Sequence, residues 1–471
     1  MVANKFFNKK TIVLAAIGIA VAFSVHLFEL QTMNLDGYLH STADDPSYVR
    51  PATNFLEHGI WKDNSEGPSS YVQRPPVTGF FHLLGTAISG SDNRIGFFII
   101  ALLLHGIGII ALFKTLQQFV SEKWGLISTA AFILLPCFYG FLSYSLSEAL
   151  LVSSLLITGY FHLVPQRSQL TKMGSALFLL YLFRPVLLLC FLPLFIYKLN
   201  EYRKKNEKKG STLGSKLVLF SLIGFTLFWE VRKFNYTSTF SPHPIYHLEN
   251  KSIFRPAHAS LTELFKIWEY QPEHFHALAG TPLKDDSLSR AFVFDYYNQK
   301  KPPISKDQFF KILLTYSQVN LQPVVSKTEQ LKFQLKLDEY TKVLYSENKQ
   351  RYWIETPYLS ASENLKKTHL NLGIFQEKYR GNIIIELIRY GTLGLLLLGY
   401  LSMIFILFTG IKTEIKRLAS GAWVYFIFLI EYQRMNEDRY FLPMIVLGYL
   451  CLSILTFHFS EYFSRRKEVR P

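Results

Sequence analysis

The sequence predicts an all-α, multi-pass membrane protein, and both its composition and the grouping of its apolar residues support this prediction. Of the 471 residues, 49% are hydrophobic and only 18% are charged, whereas soluble domains average roughly 25% charged residues. The apolar residues gather into runs that are long enough to cross a bilayer. We therefore expect a transmembrane core of about ten helices and a mostly helical domain outside the cytoplasm.

The net charge of +15 comes from basic loops and does not indicate a nucleic-acid-binding face. The basic clusters abut apolar runs, as the positive-inside rule expects of cytoplasmic loops, and no basic face is interleaved with exposed aromatic residues. We expect both termini in the cytoplasm and the protein in a bacterial inner membrane. The clusters lie at residues 5–10, 203–209, 412–417 and 465–467.

Three regions follow from the distribution of the apolar runs. Residues 1–231 form an N-terminal transmembrane core with a first outer loop at 31–94, residues 232–381 form an extracytoplasmic soluble domain, and residues 382–471 form C-terminal transmembrane helices with a cytoplasmic tail. The run at 75–90 is too short to span and should be interfacial or re-entrant. The expected spans are 11–30, 95–113, 124–139, 148–164, 217–231, 390–408, 418–431 and 440–457, with a hairpin at 173–199.

The hairpin is predicted because the run at 173–199 has basic residues on both flanks, so both of its ends should face the cytoplasm. One continuous helix cannot satisfy this requirement. Arg184-Pro185 interrupts the run near its middle, and proline breaks a helix at such a position. We expect two short helices, with Arg184 at the outer tip or in a water-filled cavity, because a lipid-exposed arginine is costly.

Two adjacent carboxylates, Asp44 and Asp45, stand just before a short amphipathic helix that Gly59 should end. Asp45 followed by proline is typical of a helix N-cap, and capping is the simpler interpretation of that residue. Capping does not explain Asp44, whose side chain is free to face a cavity. Paired acids of this kind can supply a general base or ligands for a divalent cation.

The first outer loop combines an acidic pair, an aromatic-containing interfacial helix and an Arg-Pro-Pro element. In this combination it resembles GT-C glycosyltransferases, most closely the protein O-mannosyltransferases and aminoarabinose transferases. The resemblance covers the membrane core and does not extend to residues 234–381. It rests on Asp44-Asp45-Pro46-Ser47-Tyr48-Val49, Trp61 and Tyr71-Val72-Gln73-Arg74-Pro75-Pro76, with weaker matches at Ser147-Glu148, Trp229-Glu230-Val231-Arg232-Lys233 and Arg439-Tyr440-Phe441-Leu442-Pro443.

The resemblance implies a GT-C-like core and an inverting transfer of a sugar. The donor would be a polyprenyl-phosphate sugar, and the acceptor would be a hydroxyl of a lipid, a glycan or a protein. The candidate catalytic carboxylates are then Asp44, Asp45 and Glu148. Asp44 is the expected base, and Glu148 would orient the acceptor or bind a divalent cation. An acid favoured by the helix dipole at the start of a helix is an equally good explanation of Glu148.

A phosphate leaving group calls for cations, and arginine stays charged and makes paired contacts with phosphate oxygens. The candidates for binding the donor phosphate are Arg74, Arg184 and Arg232. Snorkelling at the end of a span explains Arg74 and Arg232 equally well. A charge inside an apolar run, as at Arg184, favours a functional role. Arg439 is equally well explained as an anchor at the membrane interface.

Three other functions stay open at the level of the sequence. A transporter or flippase of lipid-linked sugars would have paired broken helices in related halves, and the sequence has one Arg-Pro break and no visible repeat. A non-catalytic scaffold leaves the acidic pair and the Arg-Pro-Pro element unexplained. A lipid-linked glycan ligase or polymerase would keep key arginines and a histidine in a late outer loop. Here, histidines occur at positions 243, 247, 274 and 276.

Overall fold

The computed structural model describes residues 6–33, 44–63, 74–90, 95–204, 213–237, 256–320, 327–366, 381–434 and 438–468. The described part of the chain is helical, with connecting turns and without β-strands. The helices are α1 (Lys9–Met33), α2 (Asp45–His58), α3 (Pro76–Ser89), α4 (Ile95–Leu116), α5 (Glu122–Leu134), α6 (Glu148–Leu163), α7 (Gln169–Phe183), α8 (Leu188–Lys204), α9 (Leu213–Thr237), α10 (Pro256–Phe265), α11 (Pro272–Gly280), α12 (Ser287–Lys300), α13 (Lys306–Asn320), α14 (Lys327–Glu347), α15 (Thr356–Lys366), α16 (Ile383–Phe408), α17 (Thr413–Ile427) and α18 (Leu442–Glu468).

Within the described ranges, six helices are long and apolar enough to cross a membrane, which makes the chain a multi-pass membrane protein. Four other predicted membrane helices, α5, α6, α7 and α17, have 13, 16, 15 and 15 residues. At 1.5 Å per residue they extend roughly 20–24 Å, less than the roughly 30 Å of bilayer hydrocarbon. A core of ten spanning helices therefore stays a prediction. The six candidate spans are Lys9–Glu29, Ile95–Leu116, Pro185–Lys204, Leu213–Asn235, Ile383–Phe408 and Arg439–Ser464.

The predicted break at Arg184-Pro185 is present. Helix α7 ends at Phe183, and Arg184 is extended, with φ of −164° and ψ of 102°. A short 3-10 turn, Pro185–Leu187, then leads into α8. The residue before a proline is disfavoured in the helical conformation, so the chain changes direction here and Arg184 leaves the helix.

Close contacts between helices fix the positions of the helices that carry the charged residues. Helix α3 packs on α4 where Gly85 meets Gly96, and a Cβ atom on either glycine would overlap the backbone of the other. Helix α17 packs on α8 in a similar way, because a Cβ atom on Gly421 would overlap the carbonyl group of Cys190. Glycine permits these approaches because it has no side chain. The C-terminal part of α3 and the start of α8 are thereby held in place.

Buried apolar side chains form separate clusters. The largest cluster joins α4, α5, α6, α7, α8, α16, α17 and α18, and a second joins α1, α3, α4, α6 and α7. The buried members of a third cluster all lie within residues 257–344, where Leu264, Phe265, Phe309 and Leu313 are fully buried. Residues 256–347 therefore have an apolar interior of their own.

Arg434 ties this third cluster to the end of α17. Its side chain is fully buried (0% exposed) and donates to the backbone carbonyls of Lys266, Tyr352 and Glu431, the last at 3.1 Å. The guanidinium group also lies 3.9 Å from the centre of the Tyr352 ring. A buried charge needs such partners, because desolvation without them costs several kcal/mol or more. The turn after α17 is therefore fixed to α10 and to the π-helical turn Arg351–Glu355.

Candidate functional site

Charged side chains from five separate segments converge beside the membrane helices. Asp44 precedes α2, Arg74 precedes α3, Glu148 begins α6, Arg184 separates α7 from α8, and Arg439 lies in the 3-10 turn before α18. They are linked in the order Arg74, Asp44, Arg439, Glu148, Arg184. We call this series of ion pairs the charge network. Because its members lie at helix ends, their side chains can leave the apolar bundle and meet.

Asp44 is held by two arginines, one at each carboxylate oxygen. Arg74 Nη2 lies 2.7 Å from Oδ1, and Arg439 Nη2 lies 2.6 Å from Oδ2. Arg74 also donates through Nε to Ser47 Oγ at 2.9 Å, and the Ser47 hydroxyl donates to the Asp44 carbonyl at 2.7 Å. The Asp44 side chain is 33% exposed. The carboxylate is therefore fixed in direction while it stays partly accessible.

Opposing effects act on the pKa of Asp44. Partial burial raises the pKa, but the charges and hydrogen bonds of Arg74 and Arg439 together lower it by more, so that it lies below the ordinary value of 3.8. Asp44 is therefore ionised at neutral pH, and its negative charge is stabilised by the two guanidinium groups.

The start of α2 differs from the sequence prediction. Asp45 was expected as the N-cap, but it is the first residue of the helix, and Asp44 occupies the capping position without a side-chain hydrogen bond to the helix. The Asp44 carboxylate is directed to the two arginines instead. The side chain of Asp45 lies outside the described residues, so its catalytic role stays a prediction. The predicted helix end is confirmed, because Gly59 has φ of 70° and its N–H donates to the carbonyl of Phe55.

Glu148 and Arg184 form a buried ion pair. The Glu148 side chain is 0% exposed, and that of Arg184 is 15% exposed. Glu148 also accepts a hydrogen bond from Ser147 Oγ at 3.1 Å, and Arg439 Nε lies 3.7 Å from its Oε1 atom. A buried carboxylate without a partner is strongly unfavourable. Arg184 and Arg439 therefore permit a charged Glu148 at this position, and Arg439 connects the two halves of the charge network.

Two tyrosine rings support the guanidinium groups. The Arg184 guanidinium lies 4.6 Å from the centre of the Tyr440 ring, and that of Arg439 lies 5.8 Å from the same ring. Tyr48 supports Arg74 in the same way, at 4.9 Å. Cation–π contacts of this kind contribute about 0.5–2 kcal/mol each. They also limit the orientations that the three arginines can adopt.

His82 positions the segment that leads to Glu148. Its Nε2 atom lies 2.9 Å from the carbonyl oxygen of Ser145, and its ring stacks on that of Phe97 at 3.8 Å. The residue is only 2% exposed. Helix α3, which follows Arg74 in the chain, therefore also braces the turn before α6.

The charge network has a surplus of positive charge and an unused donor. Three arginines and two carboxylates leave a formal charge of 3 − 2 = +1. The Nη1 atom of Arg184 is buried and has no hydrogen-bond partner among the described residues. Guanidinium groups bind phosphate oxygens well. An anion that reaches this position would find both a net positive charge and a free N–H group.

Arg232, the third arginine predicted to bind phosphate, makes a different contact. Its guanidinium donates to the backbone carbonyl of Trp61 at 2.9 Å. This bond joins α9 to the segment that follows α2. In the structure, Arg232 therefore helps to hold the segment that follows α2, while the charge network is formed by the other arginines.

No metal centre is evident in the part of the chain that the structure describes, because no group of three or more His, Cys, Asp or Glu side chains comes together there. Asp44 and Glu148 are both paired with arginines instead. His243 and His247 lie outside the described residues, and His274 Nδ1 lies 3.7 Å from Glu269 Oε2. A divalent cation stays a prediction of the resemblance alone.

Arg439 is the member of the charge network whose position the sequence identified least well. It was noted in the motif Arg439-Tyr440-Phe441-Leu442-Pro443, with a membrane anchor as an equal explanation. The structure shows it between Asp44 and Glu148. The sequence motif was the feature that indicated this position, because Arg439 and Tyr440 both contribute to the site.

The fold and the charge network define a helical, multi-pass membrane protein with paired carboxylates and arginines at the ends of its helices. Comparison with known proteins adds no assignment, since neither a protein-family model nor a curated protein matches the chain.

Proposed function

We propose that the chain is a GT-C-type membrane glycosyltransferase that moves a sugar from a polyprenyl-phosphate donor to an acceptor hydroxyl on the extracytoplasmic face of a bacterial inner membrane. The observation that carries the proposal is Asp44 held between Arg74 and Arg439, next to the buried pair of Glu148 and Arg184. A carboxylate that can take a proton therefore stands beside guanidinium groups that can hold a phosphate.

In the proposed reaction, the acceptor oxygen attacks the anomeric carbon of the sugar while the bond from that carbon to the phosphate oxygen breaks. The acceptor hydroxyl transfers its proton to Asp44, and the polyprenyl phosphate leaves with the bonding electron pair. Attack from the face opposite the phosphate inverts the configuration of the sugar. Arginines fixed in advance stabilise the negative charge that grows on the phosphate, which is commonly the largest catalytic effect.

The resting charge network keeps Asp44 a weak base, because Arg74 and Arg439 lower its pKa. A donor phosphate would compete for the same guanidinium groups. Each contact that the phosphate takes would weaken a positive influence on Asp44 and raise its pKa. Donor binding would thus strengthen the base and restrict proton transfer to the loaded site.

The lipid part of the donor needs an apolar surface close to the charge network, and α2 and α3 supply one. The two helices pack together. They expose Phe55, Leu56, Phe80 and Leu84, with 44%, 50%, 40% and 53% of each residue accessible. Arg74 and Asp44 lie at the starts of these same helices. A polyprenyl chain on this surface would bring its phosphate to the arginines.

The test is sugar transfer in membranes that contain the protein, with polyprenyl-phosphate donors labelled in the sugar. We expect Asp44→Asn to abolish incorporation of the label into acceptor material while the protein stays folded in the membrane. The matched control is Asp285→Asn, because Asp285 also pairs with an arginine, Arg290 at 2.8 Å, but on the exposed surface. Transfer at the wild-type rate by Asp44→Asn would refute the proposed base. Movement of labelled lipid across vesicles without transfer would support a flippase instead.

A further inference from the structure

The π-helical turn Arg351–Glu355 and α15 present apolar side chains to the surroundings of the protein. Trp353, Ile354, Tyr358 and Leu359 are 52%, 64%, 70% and 42% exposed. We call these four side chains the apolar ridge. Exposed apolar surfaces of this kind mark contact with another molecule or with a membrane.

The fully buried positions of α15 include three polar residues, whereas a helix in a soluble protein buries mainly apolar ones. Thr356, Ser360 and Asn364 are 1%, 0% and 3% exposed. The Thr356 hydroxyl donates to the carbonyl of Ile267 at 2.9 Å, and the Asn364 amide donates to that of Ser360 at 2.7 Å. These three polar residues are thus used inside the protein, while the apolar Tyr358 and Leu359 are turned outward. If the ridge were exposed to water, about 25 cal/mol of hydrophobic stabilisation would be lost for each Å² of its apolar surface.

Helix α15 lies beside the ends of the membrane helices. Ala361 and Leu365 pack against the largest apolar cluster of those helices. Helix α15 also contacts the turn Phe428–Gln433, which continues α17. Arg439 follows this turn by six residues and opens the candidate span Arg439–Ser464. The ridge is therefore close to the level at which the helices leave the membrane, on the side of the charge network.

The ridge also adjoins a surface that faces lipid. Val424 and Ile427 on α17 are 45% and 53% exposed, and Tyr432, in the turn that contacts α15, is 63% exposed. Apolar side chains that point away from a membrane helix contact lipid. A lipid surface that covers this side of α17 can extend to the ridge without a gap.

We propose that the apolar ridge lies in the interfacial layer of the lipid bilayer and docks residues 256–366 on the membrane surface. Trp and Tyr are enriched in this layer because their rings are apolar and their polar atoms form hydrogen bonds. The Trp353 indole N–H donates to the Tyr345 hydroxyl at 2.7 Å. Glu355 is exposed among the ridge residues and accepts from Gln350 at 3.2 Å, which suits the headgroup layer. This proposal depends on the membrane class of the protein and not on its proposed activity.

The test measures the surroundings of a nitroxide label in nanodiscs of phosphatidylcholine and phosphatidylglycerol. Cys137, Cys190 and Cys451 are buried, so a cysteine introduced on the surface can be labelled selectively. We expect the label in Tyr358→Cys to collide several-fold more often with oxygen, which partitions into lipid, than with a water-soluble nickel complex. The matched control is Leu335→Cys, 63% exposed on α14, about 18 Å along the helix from its end at Glu347.

The control label should show the reverse preference, because Lys332, Lys336 and Glu339 surround Leu335 on the surface of α14. A label at position 358 that behaves like the one at 335 would overturn the proposal. A label at position 358 that is protected from both oxygen and the nickel complex would also overturn the proposal, because that result indicates contact with a protein partner. As a second measurement, brominated lipids should quench a larger fraction of the tryptophan fluorescence in the wild-type protein than in the Trp353→Phe variant. Equal quenching would also count against the proposal.

Discussion

Arg439 donates to Asp44 at 2.6 Å, although the two residues are 395 positions apart in the chain. The contact joins the residue before α2 to the turn before α18. Arg439 Nε also lies 3.7 Å from Glu148, so one guanidinium group faces both carboxylates of the charge network. The site therefore exists only when the N-terminal and C-terminal membrane helices are assembled.

Replacement of Arg439 should impair the proposed reaction strongly. Arg439→Gln should lower the rate of sugar transfer by about 10²–10³, the usual effect of removing one fixed donor to a developing negative charge. Arg439→Lys should lie between this variant and the wild type, because lysine keeps the charge and loses the paired geometry. Arg389→Gln is the control, since Arg389 forms a partly exposed pair with Glu386 at 3.3 Å. Equal losses in the Arg439→Gln and Arg389→Gln variants would argue against a special role of Arg439.

The buried pair of Arg184 and Glu148 should show strong coupling in stability. Arg184→Met leaves a buried carboxylate without its main partner, and such changes cost about 3–5 kcal/mol. The double variant Arg184→Met/Glu148→Gln removes the uncompensated charge and should recover part of that loss. A thiol-reactive dye can follow thermal unfolding, because the natural cysteines are buried and react only as the protein opens. Additive losses in the double variant would contradict the coupling.

The contribution of Asp44 to stability should depend on pH. Its pKa in the folded protein lies below the ordinary 3.8, so its ion pairs stabilise the folded state fully above the unfolded pKa. That contribution is lost as the pH falls through the lower, folded pKa. The difference in unfolding temperature between wild type and Asp44→Asn should thus be constant from about pH 8 to 5 and shrink below about pH 4. A difference that shrinks near neutral pH would disagree with the ion pairs in the structure.

Arg434→Gln should loosen the attachment of residues 256–366 to α17. The substitution replaces the buried guanidinium group by a shorter amide and leaves the backbone carbonyls of Lys266 and Tyr352 without their donor. Each unsatisfied carbonyl costs about 1–3 kcal/mol. Hydrogen exchange should accelerate in α10 and in the turn Arg351–Glu355. Arg290→Gln, at an arginine that is 43% exposed, should leave exchange there unchanged. Unchanged exchange in Arg434→Gln would show that other contacts hold these segments.

Local signals in the sequence were sufficient for several parts of the structure. The break at Arg184 and the helix end at Gly59 each follow from one or two neighbouring residues, whereas the predicted N-cap was wrong by one residue, because Asp44 and not Asp45 occupies that position. The membrane class follows from composition. Whether the shorter helices α5, α6, α7 and α17 also span the bilayer does not follow from their sequence, because an apolar run of 13–16 residues fits both a short span and a buried helix.

The rest of the site depends on contacts between distant segments. Arg232 and Arg439 have similar local surroundings, since each stands next to an apolar run, and only the packing of α9 and α18 separates their roles. Arg232 reaches the carbonyl of Trp61, whereas Arg439 reaches Asp44. The role of Arg434 could not be read from the sequence, because it donates to the backbone carbonyls of the distant residues Lys266 and Tyr352, which the sequence does not reveal.

The choice of acceptors by Arg434 has a consequence for how the chain can change. Every residue has a carbonyl, so the oxygen atom at position 266 is available to the guanidinium group whatever side chain that position carries. Position 434 itself requires arginine, because only the planar guanidinium group supplies several N–H donors at once. Random mutagenesis should therefore recover many functional replacements at Lys266 and almost none at Arg434.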